Sequence, residues 1–117
     1  MKRNLKSFLF AINGIAHAFR TQINMRFHVI ISLIVLGLSL YLRLSLSEWC
    51  ILLFCIGSVL AAELFNTSLE YNIDLSTPEL NKKAGQAKDM AAGAVLIVSI
   101  MAALIGLIIF IPNLMRQ

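Results

Sequence analysis

Three stretches without a formal charge constrain what this chain can fold into. Between Phe27 and Leu42 there is only His28 at the edge, from Trp49 to Ala62 there is none, and from Met90 to Met115 there is none. Crossing the hydrocarbon core of a bilayer takes about 20 helical residues at about 1.5 Å rise each. The third stretch clears that length outright. The first is short, but Arg26 and Arg43 flank it and can snorkel to the headgroups. The second reaches spanning length only by running on through Glu63 and Asn66. Composition leaves little choice of solvent: 59% of the 117 residues are hydrophobic and 14% charged, where a soluble domain carries about 25% charged residues. A chain this small cannot hide so much apolar area in its own core. The expected fold class is an all-α membrane protein, a single domain over residues 1–117, with a surface helix at about 4–20 and spans at about 26–43, 48–72 and 88–111.

Lys and Arg give an orientation. Lys2, Arg3, Lys6, Arg20 and Arg26 precede the first span, and Lys82, Lys83 and Lys88 lie between the second and third; the other side receives Arg43 and Arg116. Eight against two predicts a cytoplasmic amino terminus and second loop and an external carboxyl terminus. The net charge of +4 follows from this rule without nucleic-acid binding. The first apolar stretch, Leu5 to Phe19, is interrupted by Lys6, Asn13 and His17 and has no small-x-small cleavage site after it, so it does not read as a signal peptide. Cys50 and Cys55 fall on different faces of one helix, too far apart to bridge, and read as small core hydrophobes.

Leu5, Phe8, Ile12, Ile15 and Phe19 recur at helical spacing opposite Lys6, Asn13, His17 and Arg20. This is a basic amphipathic helix, suited to the membrane interface or to packing on its own bundle. Ser45-Leu46-Ser47-Glu48 is a capping box ahead of the second apolar run. Ser76 or Thr77, followed by Pro78 and Glu79, reads as the next helix start, and Pro112 as the end of the third span.

The second span carries the chemistry. Glu63, Asn66, Glu70 and Asp74 are spaced so that they fall within about 80° of one another on a helix, forming one polar stripe. Counted from Trp49, Glu63 lies about 21 Å down the helix. It is therefore inside the hydrocarbon, where an ionisable residue costs roughly 3 kcal/mol on insertion scales. A seam of interhelical hydrogen bonds usually employs Ser, Thr, Asn or Gln rather than two glutamates. Near the same depth at the mouth of the third span sit Lys88 and Asp89, followed by the small residues Ala91 to Ala94, which allow close approach. Carboxylates, an amide and a lysine at the membrane surface are the parts for a metal–nucleotide: Mg²⁺ takes carboxylate and phosphate oxygens, and Lys binds phosphate as a point charge. A buried Glu can serve as a general base. On these grounds alone cation transport is equally open.

The run Ala62-Glu63-Leu64-Phe65-Asn66-Thr67-Ser68-Leu69-Glu70, then Asp74, then Ala87-Lys88-Asp89-Met90-Ala91-Ala92-Gly93-Ala94-Val95 resembles the two-part signature of the prokaryotic diacylglycerol kinase family. Gly14, Asn24, Arg26 and His28 resemble its Gram-positive-type branch, which includes undecaprenol kinases. The resemblance covers nearly the whole chain; no P-loop or protein-kinase signature is present. It implies phosphoryl transfer from MgATP to the primary hydroxyl of a membrane lipid, diacylglycerol or undecaprenol, by a homotrimer with shared sites in a bacterial cytoplasmic membrane. It implies Glu63 as catalytic base and Glu70 as metal ligand. Asn66, Lys88, Asp89, Asp74, Gly14, Asn24 and Arg26 are implied for nucleotide and phosphate. The pattern has a second metal-binding Glu where this chain has Gln22, whose carbonyl can coordinate Mg²⁺ without charge. His17 and His28 read as packing or interface residues. Two rival readings are a non-enzymatic small channel or assembly subunit, and a degenerate family member that binds nucleotide and turns over slowly.

Overall fold

The computed structural model describes residues 2–77 and 79–117. The chain forms α1 (Lys2–Thr21), α2 (Ile23–Leu42), α3 (Leu46–Ser76) and α4 (Lys82–Met115). The last three are long and apolar enough to cross a membrane. The radius of gyration is 17.3 Å, where a compact soluble chain of this length would have about 13 Å. Large apolar side chains stay uncovered on every span: Phe54 and Phe65 on α3, Ile108 on α4 and Leu40 on α2 are all at least 70% exposed. Lipid is the solvent that such a surface requires.

Gln22, in extended conformation (φ −111, ψ 118), separates α1 from α2. Its amide donates to Ala18 O at 2.8 Å and its carbonyl accepts from Arg26 N–H at 3.2 Å, so one residue both ends a helix and begins the next. Leu5, Phe8, Ile12, Ile15 and Phe19 are all exposed, and Ala18 is the buried residue of α1. The apolar stripe of α1 is therefore largely uncovered, with Ile12, Ile15 and Phe19 bordering a groove beside Met25 and Val29 of α2.

At 20 residues, α2 is about 30 Å long, one hydrocarbon thickness. It ends in a Schellman motif: Arg43 takes the left-handed conformation (φ 55, ψ 58), with Leu44 N–H on Ser39 O and Arg43 N–H on Leu40 O. The capping box opens α3 as its sequence predicts: Glu48 N–H donates to Ser45 Oγ at 3.3 Å, and Ser45 N–H donates to Glu48 Oε1 at 2.9 Å. The other Glu48 oxygen accepts from Asn113 Nδ2 at 2.7 Å, which clamps the end of α4 to the start of α3. Leu42, Leu44, Leu52, Ile109 and Phe110 form the packed core at this same end. Several hydroxyls within the spans are satisfied locally, Ser39 Oγ on Val35 O and Ser58 Oγ on Phe54 O, both 2.7 Å, whereas Ser99 Oγ on α4 is buried without a partner among the described residues.

Three expectations need correction. No helix starts at Ser76 or Thr77. Ser76 closes α3, Thr77 caps it, and α4 starts at Lys82 under Asn81, whose Oδ1 accepts from Lys83 and Ala84 N–H; Pro78 lies outside the described residues. Pro112 does not end the third span: α4 continues to Met115 with the proline inside it. Its missing N–H deprives one carbonyl, a loss tolerated in the last turn. Cys50 is exposed on the lipid-facing side, whereas Cys55 is buried as expected.

Candidate active site

The buried face of α3 runs Leu52, Cys55, Val59, Glu63, Asn66, Thr67. The stripe that packs apolar side chains at one end thus continues, without changing face, into the polar stripe at the other. At 31 residues, α3 is about 46 Å long and outruns a hydrocarbon core of about 30 Å. Measured from Trp49, the excess begins near Glu70. Glu63 therefore lies within the apolar layer, only 3% exposed, and Asn66 (8%) lies one turn nearer the surface.

Neighbouring elements bring partners to this stripe. The first turns of α2 set His28 Nε2 at 3.8 Å from Glu63 Oε2. That is too long for a hydrogen bond but close enough for the two groups to sense each other's charge. Asn66 Nδ2 donates to Glu70 Oε1 at 3.4 Å, while Asn66 Oδ1 is buried without a partner among the described residues. Lys88 at the start of α4 forms an ion pair with Asp74 near the end of α3. Ala91, near the start of α4, is buried.

Gln22 does not point its amide nitrogen at these carboxylates. Its Nε2 donates to Tyr71 OH at 3.4 Å and lies 3.5 Å from Thr21 Oγ1. His17 Nε2 shares the same Tyr71 hydroxyl at 3.2 Å, with the two rings edge to face. Tyr71 thus fastens the end of α1 to α3 one residue past Glu70. Gly14, Asn24, Arg26 and Asp89 are exposed.

Two residues of this neighbourhood escaped the sequence reading. His28, which reads as a packing or interface residue, faces Glu63; Tyr71 carries no motif of its own. The lone histidine at the edge of an uncharged run was the available signal for the first. For the second there was none, because its partners lie 54 and 49 residues away.

Among the described residues no group of three or more His, Cys, Asp or Glu could hold a metal ion. The donors present are the Glu70 carboxylate and the unpartnered Asn66 oxygen, with the Glu63 carboxylate one turn deeper. Hard oxygen donors in this number suit Mg²⁺, which keeps water and substrate phosphate in most of its coordination positions. An unpaired buried acceptor is costly, and a cation shared with a phosphate would relieve it.

Residues 9–110 match the family model described as Prokaryotic diacylglycerol kinase. The chain is 40% identical over 114 residues to the undecaprenol kinase of Bacillus subtilis, covering 97% of this chain and 93% of that one. It is 36% identical over 112 residues to a diacylglycerol kinase of Synechocystis, covering 95% of this chain and 64% of that one. To a diacylglycerol kinase of Helicobacter pylori it is 35% identical over 97 residues, covering 82% and 75%.

Proposed function

Because the chain belongs to the prokaryotic diacylglycerol kinase family, we propose that it is a lipid kinase that transfers the γ-phosphoryl group of MgATP to the primary hydroxyl of a membrane lipid of the undecaprenol or diacylglycerol type. The observation that carries this reading is Glu63, a carboxylate 3% exposed inside a membrane-spanning helix, on one face with Asn66 and Glu70. A membrane protein has little reason to bury such a group unless it works there.

The roles follow from position. Glu63 lies deepest, where the hydroxyl of a lipid held in the bilayer can reach it, and it takes the hydroxyl proton as the oxygen attacks phosphorus. His28, 3.8 Å away, is the polar side chain that α2 sets beside Glu63. Glu70 and Asn66 lie toward the headgroup layer, the side from which a nucleotide arrives; Glu70 would hold the metal, and the Asn66 amide would bind the nucleotide's phosphates. Lys88 is engaged by Asp74, which orients its ammonium at the mouth of α4; an incoming phosphate competes for it. Asp89, Asn24, Arg26 and Gly14 line the approach. Mg²⁺, when bound with ATP, supplies charge neutralisation at the transferring phosphoryl group.

The active site faces the cytoplasm, the source of ATP, in the orientation that the Lys and Arg distribution favours; the membrane is the bacterial cytoplasmic membrane. Three chains assemble around shared sites, since one set of three spans leaves a thin shield for a charged stripe. Native mass spectrometry in detergent should give a trimer. The deciding assay is transfer from radiolabelled ATP to diacylglycerol and to undecaprenol in mixed micelles: a labelled lipid phosphate is expected, and its absence with both acceptors would favour a channel or assembly subunit.

A further inference from the structure

Three serines of the spans dispose of their hydroxyl protons in the same way: Ser32 donates to His28 O, Ser39 to Val35 O and Ser58 to Phe54 O, each at 2.7 Å. The carbonyl one turn back is the local acceptor open to a hydroxyl in a membrane helix. Ser99 on α4 does not use it. Its Oγ is buried and has no partner among the described residues, although Val95 stands one turn back in the same helix. A buried hydroxyl without a hydrogen bond costs free energy, so this one marks a place where a polar group is due.

The pairing of α3 with α4 fixes the depth of that place. The two helices run antiparallel and are tied near both ends, Glu48 to Asn113 and Asp74 to Lys88. The stretches between the ties, Glu48 to Asp74 and Lys88 to Asn113, match in length to within one residue. Levels can therefore be read across: Glu63 on α3 falls level with Val98 and Ser99 on α4. A cavity bounded by α2, α3 and α4 has the same arrangement at its end nearest Lys88, where its wall is Phe27 and His28 on α2, Val59 on α3 and Ser99 on α4. Glu63 is one turn beyond Val59 on the same buried face, and His28 Nε2 stands 3.8 Å from its carboxylate. Ser32, the other hydroxyl of this wall, has spent its proton on His28 O. Ser99 is thus the uncommitted hydroxyl donor at the level of Glu63.

Resting on the kinase reading above, we infer that Ser99 binds the acceptor: its hydroxyl donates a hydrogen bond to the same alcohol oxygen whose proton Glu63 takes. An alcohol oxygen carries one proton and two lone pairs. The proton passes to the Glu63 carboxylate, and one lone pair accepts from Ser99 Oγ–H. The other lone pair forms the new bond to phosphorus while the bond from phosphorus to the ADP oxygen breaks, its electrons leaving with ADP. Contacts from α3 and α4 together fix the direction of the attacking lone pair, which either contact alone would leave free to turn. The same bond selects for an alcohol, because a compound without the hydroxyl leaves Ser99 unpaired.

The test compares the full chain as wild type, Ser99→Ala and Ser99→Thr in mixed micelles, with dioleoylglycerol and with undecaprenol as acceptors. Each acceptor is paired with an inhibitor of the same skeleton in which hydrogen replaces the hydroxyl. Ser99→Ala should raise KM for the acceptor about two- to tenfold, the range for one hydrogen bond, and leave KM for MgATP unchanged. Its Ki for the deoxy inhibitor should equal that of the wild type, since that compound offers Ser99 nothing. Ser99→Thr keeps the hydroxyl and should restore the acceptor KM; the control Ser58→Ala should not move it. An acceptor KM unmoved in Ser99→Ala would overturn the assignment. So would an acceptor KM and a deoxy Ki that weaken together, as a packing defect would make them. Loss of assembly in native mass spectrometry with the acceptor KM intact would give the hydroxyl to a contact between copies instead. These results strike Ser99 alone, whereas a wild type that phosphorylates neither acceptor sinks the kinase reading and the role of Ser99 with it.

Discussion

The imidazole of His28 stands 3.8 Å from the carboxylate of Glu63, joining two helices at the one point where an ionisable pair sits inside the apolar layer. If Glu63 takes the acceptor's proton, Glu63→Gln should reduce kcat by about 10²–10⁴-fold, the usual range for loss of a general base. Assembly should survive, because the amide keeps the shape and removes a buried acid. His28→Gln should cost less, and the double mutant should be no slower than Glu63→Gln alone, since both act on one step. Unchanged turnover in Glu63→Gln would remove it from the mechanism.

The family resemblance implies a second metal-binding Glu where this chain has Gln22, whose amide is turned toward Tyr71 OH. An amide in place of an anion removes a charge–charge attraction to Mg²⁺ of the order of a charged hydrogen bond, about 1.5–3 kcal/mol. Gln22→Glu should therefore lower the Mg²⁺ concentration for half-maximal rate by roughly tenfold, the equivalent of about 1.4 kcal/mol. Turnover at saturating metal should change less. Superimposable Mg²⁺ titrations would show that position 22 serves only to tie α1 to α3, in which case Tyr71→Phe should loosen α1 in hydrogen exchange without changing the metal requirement.

Arg43 is the non-glycine residue with positive φ among the described residues (φ 55). The left-handed conformation costs an L-residue with a Cβ roughly 1–2 kcal/mol, and glycine does not bear that cost. Arg43→Gly should stabilise the protein by about 1 kcal/mol in reversible SDS unfolding, with activity retained, because the site lies at the opposite end of the spans. Destabilisation would mean that the guanidinium itself anchors the turn.

The orientation is tested by thiol labelling in a background with Cys50 and Cys55 replaced. Leu80 is the position to use in the loop between α3 and α4, being fully exposed, whereas neighbouring Asn81 caps α4 and its loss would cost about 1 kcal/mol. Leu80→Cys should react with a membrane-impermeant reagent only in inside-out vesicles, and Gln117→Cys only in spheroplasts. The reverse pattern would move the nucleotide site to the outside and with it refute ATP as donor.

The amino-acid sequence by itself determined the elements whose cause is local. Lengths of uncharged run make the three spans, because the bilayer rejects charge and unpaired backbone alike. A 100° step per residue puts Glu63, Asn66 and Glu70 on one face, and a capping box starts α3. Where two local signals compete, the sequence did not rank them. Ser76, Thr77 and Asn81 are all good N-cap types, and only the folded chain chose Asn81; Pro112 reads as a stop, yet the helix runs past it. The rest is decided by tertiary structure: His28 beside Glu63, Lys88 on Asp74, Tyr71 between His17 and Gln22, and Glu48 on Asn113, 65 residues apart. Contacts of this kind depend on how helices cross and rotate against one another, and in lipid that is set by close packing of whole faces, which no short window of sequence contains.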